Sequence, residues 1–258
     1  MSIYLIDSHC HLHDQEWFTP DQAEQFLQDA LAAGVDQVIV IGTDPEDSAN
    51  AQAFAAAHEN VFCTHGIHPE YANSHPEPSV VDAQALSAFV RPSESSPKLV
   101  AIGEIGLDYH YEPFDRAAQI RLFEQMLQLA RDLRLPVSLH IREAFDDALP
   151  ILDNFPDVKG VVHSFTASKK ILKQVLARNF YVGVNGLITY STLPLPPLEK
   201  MLLETDAPFL TPVPFRGKIN TPGYVRNIAA YLAEKLGVAE VNIAEQTTNN
   251  AKQLFHLQ

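Results

Sequence analysis

The chain has 258 residues and only two cysteines, Cys10 and Cys63. Two thiols with no CxxC spacing cannot build a disulfide framework, so small buried thiols in a reducing cytosol are the expectation. No apolar run approaches the ~20 residues needed to span a bilayer, which argues against a membrane protein. The apolar stretch Ile3 to Ile6 is cut short by Asp7, so no secretory leader is expected either. A GxSxG turn, a Walker loop and a GxGxxG fingerprint are all missing, which removes support for a serine hydrolase, an NTPase or a dinucleotide enzyme. Positive charge is scarce: 18 Lys and Arg stand against 32 Asp and Glu, a formal net charge of -14. That balance excludes a protein that grips nucleic acid through a broad basic surface. The shortage is uneven, with 4 basic against 20 acidic residues in positions 1–129 and 14 against 12 in positions 130–258. An anionic partner would therefore be met by the second half.

What the sequence does have is alternation. Short β-rich apolar runs are expected as strands at Tyr4 to Ser8, Gln37 to Ile41, Val61 to His65, Lys98 to Gly103, Pro136 to His140, Gly160 to His163, Tyr181 to Val184 and Met201 to Glu204. VIVIG and KLVAIG are apolar on both faces, as parallel strands covered on both sides must be. Helical stretches lie between them, opened by Thr19-Pro20, Asp44-Pro45 and Thr221-Pro222, each a capping residue before a first-turn proline. Residues 116–133 carry Ile120, Phe123, Leu127 and Ala130 at helical spacing. Eight strands alternating with helices, with no repeat, no low-complexity stretch and no compositional break, predict a single (β/α)8 barrel domain over residues 1–258. Surface loops are expected at Pro76 to Ser79 and Arg91 to Pro97.

In such a barrel the chemistry gathers at the C-terminal ends of the strands. Polar residues follow six of the eight: His9 and His11, His65 with His68, Glu104, His140, His163 and Asp206. His9 and His11 are two apart and share a face of the first strand, while Cys10 points away. Three histidines and one carboxylate would complete one tetrahedral zinc site, but His9, His11, Glu104, His140, His163 and Asp206 are too many for one ion. A binuclear site is preferred, with ions ~3.5–4 Å apart and Glu104 placed centrally enough to bridge them. Imidazole-rich ligands favour zinc, manganese or another transition metal over an all-oxygen magnesium or calcium cage. His13, two further along the rim, is the weaker case and could simply face solvent.

DSHCHLH at 7–13, GIHPE at 66–70, VAIGEIGLDY at 100–109, PVSLHIREA at 136–144, VVHSFTAS at 161–168, LLETDAPFLTP at 202–212, RGKINTPGYV at 216–225 and NNAKQLF at 249–255 run from end to end of the chain. With these stretches it resembles the TatD family of metal-dependent deoxyribonucleases, within the wider amidohydrolase-like barrels. The resemblance implies one or two divalent metals (Zn, Mn or Mg), one held by His9, His11, Glu104 and Asp206 and the other by Glu104, His140 and His163. It also implies that Asp206 takes the proton of the attacking water. His68 and Arg142 are placed to touch a phosphate, and Arg216 and Lys218 could bind its neighbour in the chain; an ion pair of Arg142 with Glu143 or Asp146 is the plain alternative.

The sequence departs from the family pattern at three places. Ala167 stands for a glycine in HSFTA, His13 for a frequent acidic residue, and His65 for a small residue, so the substrate loop and the outer shell of the site are where this chain would differ. His58, His75, His110, His256, Glu112 and Asp115 are read as surface or local structural residues. The function expected is a cytoplasmic 3′ to 5′ exonuclease acting on DNA ends, with no obligate protein partner. Deacylation of a substrate such as D-aminoacyl-tRNA, hydrolysis of a small phosphoester, and a non-catalytic metal- or nucleic-acid-binding role are the alternatives.

Overall fold

The computed structural model describes residues 3–74 and 98–258. The loops expected at Pro76 to Ser79 and Arg91 to Pro97, and His75, lie outside the described residues. Eight strands form one parallel sheet in the order of the sequence: β1 Leu5–Cys10, β2 Val35–Ile41, β3 Val61–His65, β4 Leu99–Asp108, β5 Val137–Arg142, β6 Gly160–Val162, β7 Tyr181–Val184 and β8 Met201–Leu203. The sheet closes on itself through a parallel bridge between Cys10 and Ala207, with the His11 N–H donating to the Ala207 carbonyl at 2.7 Å. Among the described residues helices alternate with the strands, with two 3₁₀ turns in place of an α-helix between β7 and β8, so the expected barrel is what the chain forms.

Alternation along the strands sorts the core into two layers. On β2, Val38 and Val40 pack outward with Ala30 and Ala51, while Ile39 and Ile41 point inward with Ile6, Val161 and Leu202. The inner layer continues into Leu254, Phe255 and Leu257, so the end of the helix Glu240–Phe255 stoppers the N-terminal mouth of the barrel. Only the opposite mouth is left for chemistry.

The helix Pro20–Ala32 starts at a complete capping box: Thr19 accepts from the Gln22 N–H, and the Gln22 side chain accepts from the Thr19 N–H at 3.0 Å. Asp44 and Asp115 cap the helices Pro45–Ala57 and Arg116–Leu133 through their side chains alone, accepting from the Asp47 and Ala118 N–H groups. The latter buries Phe123, Leu127 and Ala130 as its spacing predicts, with Ile120 partly buried beside them. Thr221 differs. Its side chain caps nothing; Pro222–Tyr224 forms a 3₁₀ turn closed by the Tyr224 N–H on the Thr221 carbonyl, and the α-helix begins at Val225.

β4 runs five residues past its expected end, to Asp108. Gly106 makes that possible. It pairs with His140 of β5 at φ 148°, and a Cβ there would fall 1.9 Å from the His140 carbonyl oxygen, so only glycine lets the two strands stay this close. The extension puts Glu104 and Asp108 on one strand, four residues apart and facing one cavity.

Candidate active site

At the C-terminal mouth, the other five side chains expected as metal ligands gather around the buried carboxylate of Glu104. One oxygen, Oε2, faces His9 Nε2 at 3.5 Å and His11 Nε2 at 3.9 Å. The other, Oε1, faces His140 Nδ1 and His163 Nε2, each at 2.8 Å. Asp206 Oδ1 lies 3.6 Å from both His9 Nε2 and His11 Nε2. The rings of His9 and His163 stack with centroids 3.9 Å apart, so the two histidine pairs are nested against each other. Cys10, between His9 and His11, turns into the outer core as alternation requires.

The far nitrogen of most of these rings is also held. His11 Nδ1 donates to the Ile41 carbonyl at 3.2 Å, His9 Nδ1 lies 3.4 Å from Ser138 Oγ, and His140 Nε2 donates to Asp108 Oδ2 at 2.9 Å. Partners of this kind fix ring orientation and tautomer around a metal. Asp206 adopts a left-handed backbone (φ 58°), a conformation costly for most L-residues but tolerated by Asp, and its N–H donates to the His9 carbonyl at 2.8 Å. The β8 and β1 ends of the site are thereby locked together.

Electrostatics follow from burying so many titratable groups together. Burial alone would raise the Glu104 pKa, but the imidazoles of His163, His140 and His9 override it and hold the carboxyl well below its ordinary value. Burial disfavours charge on His11 and His140 as well, yet Asp206 and Glu104 lift His11 to about 9, and Asp108 and Glu104 lift His140 to about 9. His9 goes the other way, to about 4, because burial and the neighbouring His163 both oppose a proton there. Carboxylates and imidazoles thus share protons at the points where a divalent cation would replace them. His9 Nε2 is buried with no hydrogen-bond partner, aimed between Glu104 and Asp206. The donor set fits divalent ions bound by nitrogen and carboxylate oxygen, and the triads His9–His11–Glu104 and Glu104–His140–His163 have donor atoms close enough for this.

The mouth opens into a cavity of about 910 Å³. Two of the expected substrate contacts line it. His68 sits with Nε2 3.7 Å from Glu104 Oε1, its pKa pushed down to about 3 by burial and by His140. Arg142 lays its guanidinium over the Tyr111 ring at 4.9 Å and makes no ion pair with Glu143 or Asp146; Glu143 bonds His110 instead, at 2.6 Å. Arg216 and Lys218 are not in the cavity wall. Arg216 lies on the Tyr190 ring at 3.9 Å, and Lys218 sits 5.7 Å from the Phe215 ring. His13, which could have faced solvent, is buried and bonds Asp47 Oδ1 at 2.9 Å. Asp47 in turn accepts from the N–H and hydroxyl of Thr43, so the β2 end braces the site from behind. His65 is fully buried at the end of β3, and Ala167 packs partly buried against the outer core.

Several supporting residues escaped the sequence reading. Asp7 accepts from the Thr205 N–H at 2.9 Å, and burial lifts its carboxyl to about 8. Glu204 accepts the Ser164 N–H at 2.6 Å, and Asn185 donates to Ser164 Oγ at 2.9 Å, which ties the loop after His163 to β7 and β8. Asp7, Glu204 and Asp108 stand two or four residues from His9, Asp206 and Glu104, a strand-period spacing that was available as a signal.

A family model described as TatD related DNase matches residues 6–256. The metal-dependent hydrolase YabD of Bacillus subtilis is 34% identical over 262 residues, covering 98% of this chain and 99% of its own. The 3'-5' ssDNA/RNA exonuclease TatD of Cronobacter turicensis is 34% identical over 247 residues, 90% of this chain and 91% of its own. The crystal structure of YJJV, a TatD homologue from Escherichia coli, superposes with a TM-score of 0.88 at 31% identity over the full length of both chains.

Proposed function

Because the chain belongs to the TatD family and is a metal-dependent hydrolase, we propose that it is a 3′ to 5′ exonuclease that removes nucleotides from DNA ends at a binuclear centre. The observation that carries the reading is the division of Glu104. Its two carboxylate oxygens face two different histidine pairs, His9 with His11 and His140 with His163, as a carboxylate bridging two ions would. Asp206 completes the first set. Zinc or manganese suits the imidazole-rich donors better than magnesium. When bound, such ions make water acidic enough to attack near neutral pH and neutralise charge on the phosphate oxygens.

The protein's own residues supply the rest. Asp206, held below its ordinary pKa by His11, His9 and His163 despite burial, is ionised and takes the proton of the attacking water. Glu104 keeps the two histidine pairs in register. Arg142 provides the one guanidinium among the described residues of the cavity wall and binds a non-bridging phosphate oxygen, while His68, kept neutral by burial, offers one hydrogen bond to the same group. A cytoplasmic setting fits the two buried free thiols.

A second reading has one observation behind it. Among the described residues lining the cavity, Arg142 is the only Lys or Arg, against eight Asp or Glu, so a less charged ester such as an aminoacyl-tRNA end or a small phosphoester also suits the wall. The test is to incubate metal-loaded protein with single-stranded DNA whose 3′ end is open or blocked, beside aminoacyl-tRNA. Mononucleotides from the open end only support the exonuclease; intact DNA with free amino acid released moves the assignment to the deacylase.

A further inference from the structure

The wall that is poor in cations is rich in exposed rings. Phe209, 44% exposed, lines the cavity 6.4 Å from the His11 ring, and Trp17, 47% exposed, meets Phe209 edge to face at 5.1 Å and 79°. The three rings form a continuous run from a candidate metal ligand to the surface. It lies on the loops after β1 and β8. Half way round the barrel, on the loop after β4, Tyr111 is 69% exposed, also lines the cavity, and carries Arg142 on its face.

Large exposed aromatics cost free energy unless something covers them, and here they flank the place where the reacting bond would sit. A long polyanion gains little from a wall whose described residues carry one guanidinium and eight carboxylates. A planar, uncharged ring gains a great deal from stacking, whatever its sequence. Resting on the exonuclease reading, we infer that Trp17 and Phe209 form a stacking platform for the terminal nucleobase of an unpaired strand, with Tyr111 receiving a base on the other side. The substrate is then gripped by its bases over one or two nucleotides, and only ends free of a complementary strand can use the platform.

Trp17 is the only tryptophan in the chain, so its fluorescence reports the platform without any turnover. Metal-loaded protein would be titrated with deoxyadenosine 5′-monophosphate and with deoxyribose 5-phosphate, which has the same phosphate and no base. Saturable quenching by the nucleotide alone is expected. On a DNA trinucleotide, Trp17→Leu should raise KM about 5- to 100-fold and leave kcat within about twofold, with Phe209→Leu acting in the same direction. If the trinucleotide is cut while fluorescence and KM stay unmoved, the platform is overturned and the nuclease stands. Should the nucleotide quench but no oligonucleotide be cut, the platform stands and the proposed reaction falls.

Discussion

Asp108 accepts a hydrogen bond from His140 Nε2 at 2.9 Å while the other nitrogen of the same ring faces Glu104 at 2.8 Å. The imidazole is therefore held between two carboxylates, one inside the candidate metal centre and one behind it. Removing the outer charge should leave the ring free to turn and make it a poorer donor. Asp108→Asn is expected to weaken metal affinity about 10- to 100-fold, measured by competition with a chelating dye. Unchanged affinity would mean that packing alone sets the ring.

Gly66 approaches the centre from β3. A Cβ there would fall 2.4 Å from both the Glu104 nitrogen and the Gly103 carbonyl carbon, which are backbone atoms with no room to swing away. Gly66→Ala should cost about 1–3 kcal/mol in urea unfolding and most of the activity, because Glu104 must shift. Gly217→Ala is the control: φ is 85° but nothing lies within 4 Å, so a cost of about 1 kcal/mol with activity retained is expected there. Equal losses in both variants would deny the close approach its role.

Burial holds His65 down to about 4 from an ordinary 6.5. Between those values the unfolded chain binds a proton at this position and the folded chain does not. The contribution of His65 is therefore fully present above pH 6.5 and is lost as pH falls toward 4. Relative to His65→Asn, the wild-type protein should lose stability between pH 7.5 and pH 5 in urea unfolding. A wild-type to variant gap that is the same at both pH values would contradict this.

Arg142 is the one Lys or Arg among the described residues of the cavity wall, so few phosphate charges are neutralised there. The dependence of log KM on log salt for a DNA oligonucleotide should be shallow, and Arg142→Ala should flatten it by about 0.7 while raising KM. A steep slope that survives the substitution would place the phosphate contacts elsewhere, with Arg216 and Lys218 as the next residues to replace.

The barrel was legible because strand and helix periods alternate so regularly, and because buried parallel strands leave runs such as VIVIG. The gathering of His9, His11, Glu104, His140, His163 and Asp206 was legible because the fold sends strand ends to one rim. What eluded the sequence depends on distances between strands. Whether His13 faced solvent or Asp47 turned on a contact 34 residues away, and the positions of Arg216 and Lys218 turned on Tyr190 and Phe215. The length of β4 turned on how near β5 could come to Gly106.

Glu104 is proposed to hold two ions between its histidine pairs, and metal stoichiometry against hydrolysis tests this most directly. Chelated protein would be titrated with zinc or manganese while bound metal and release of nucleotide from open 3′ ends are followed together. Activity rising to saturation at two ions per chain, and absent in Glu104→Ala and Asp206→Ala at any metal concentration, is the expected result. Full activity at one ion per chain, or activity that survives Glu104→Ala, would contradict it.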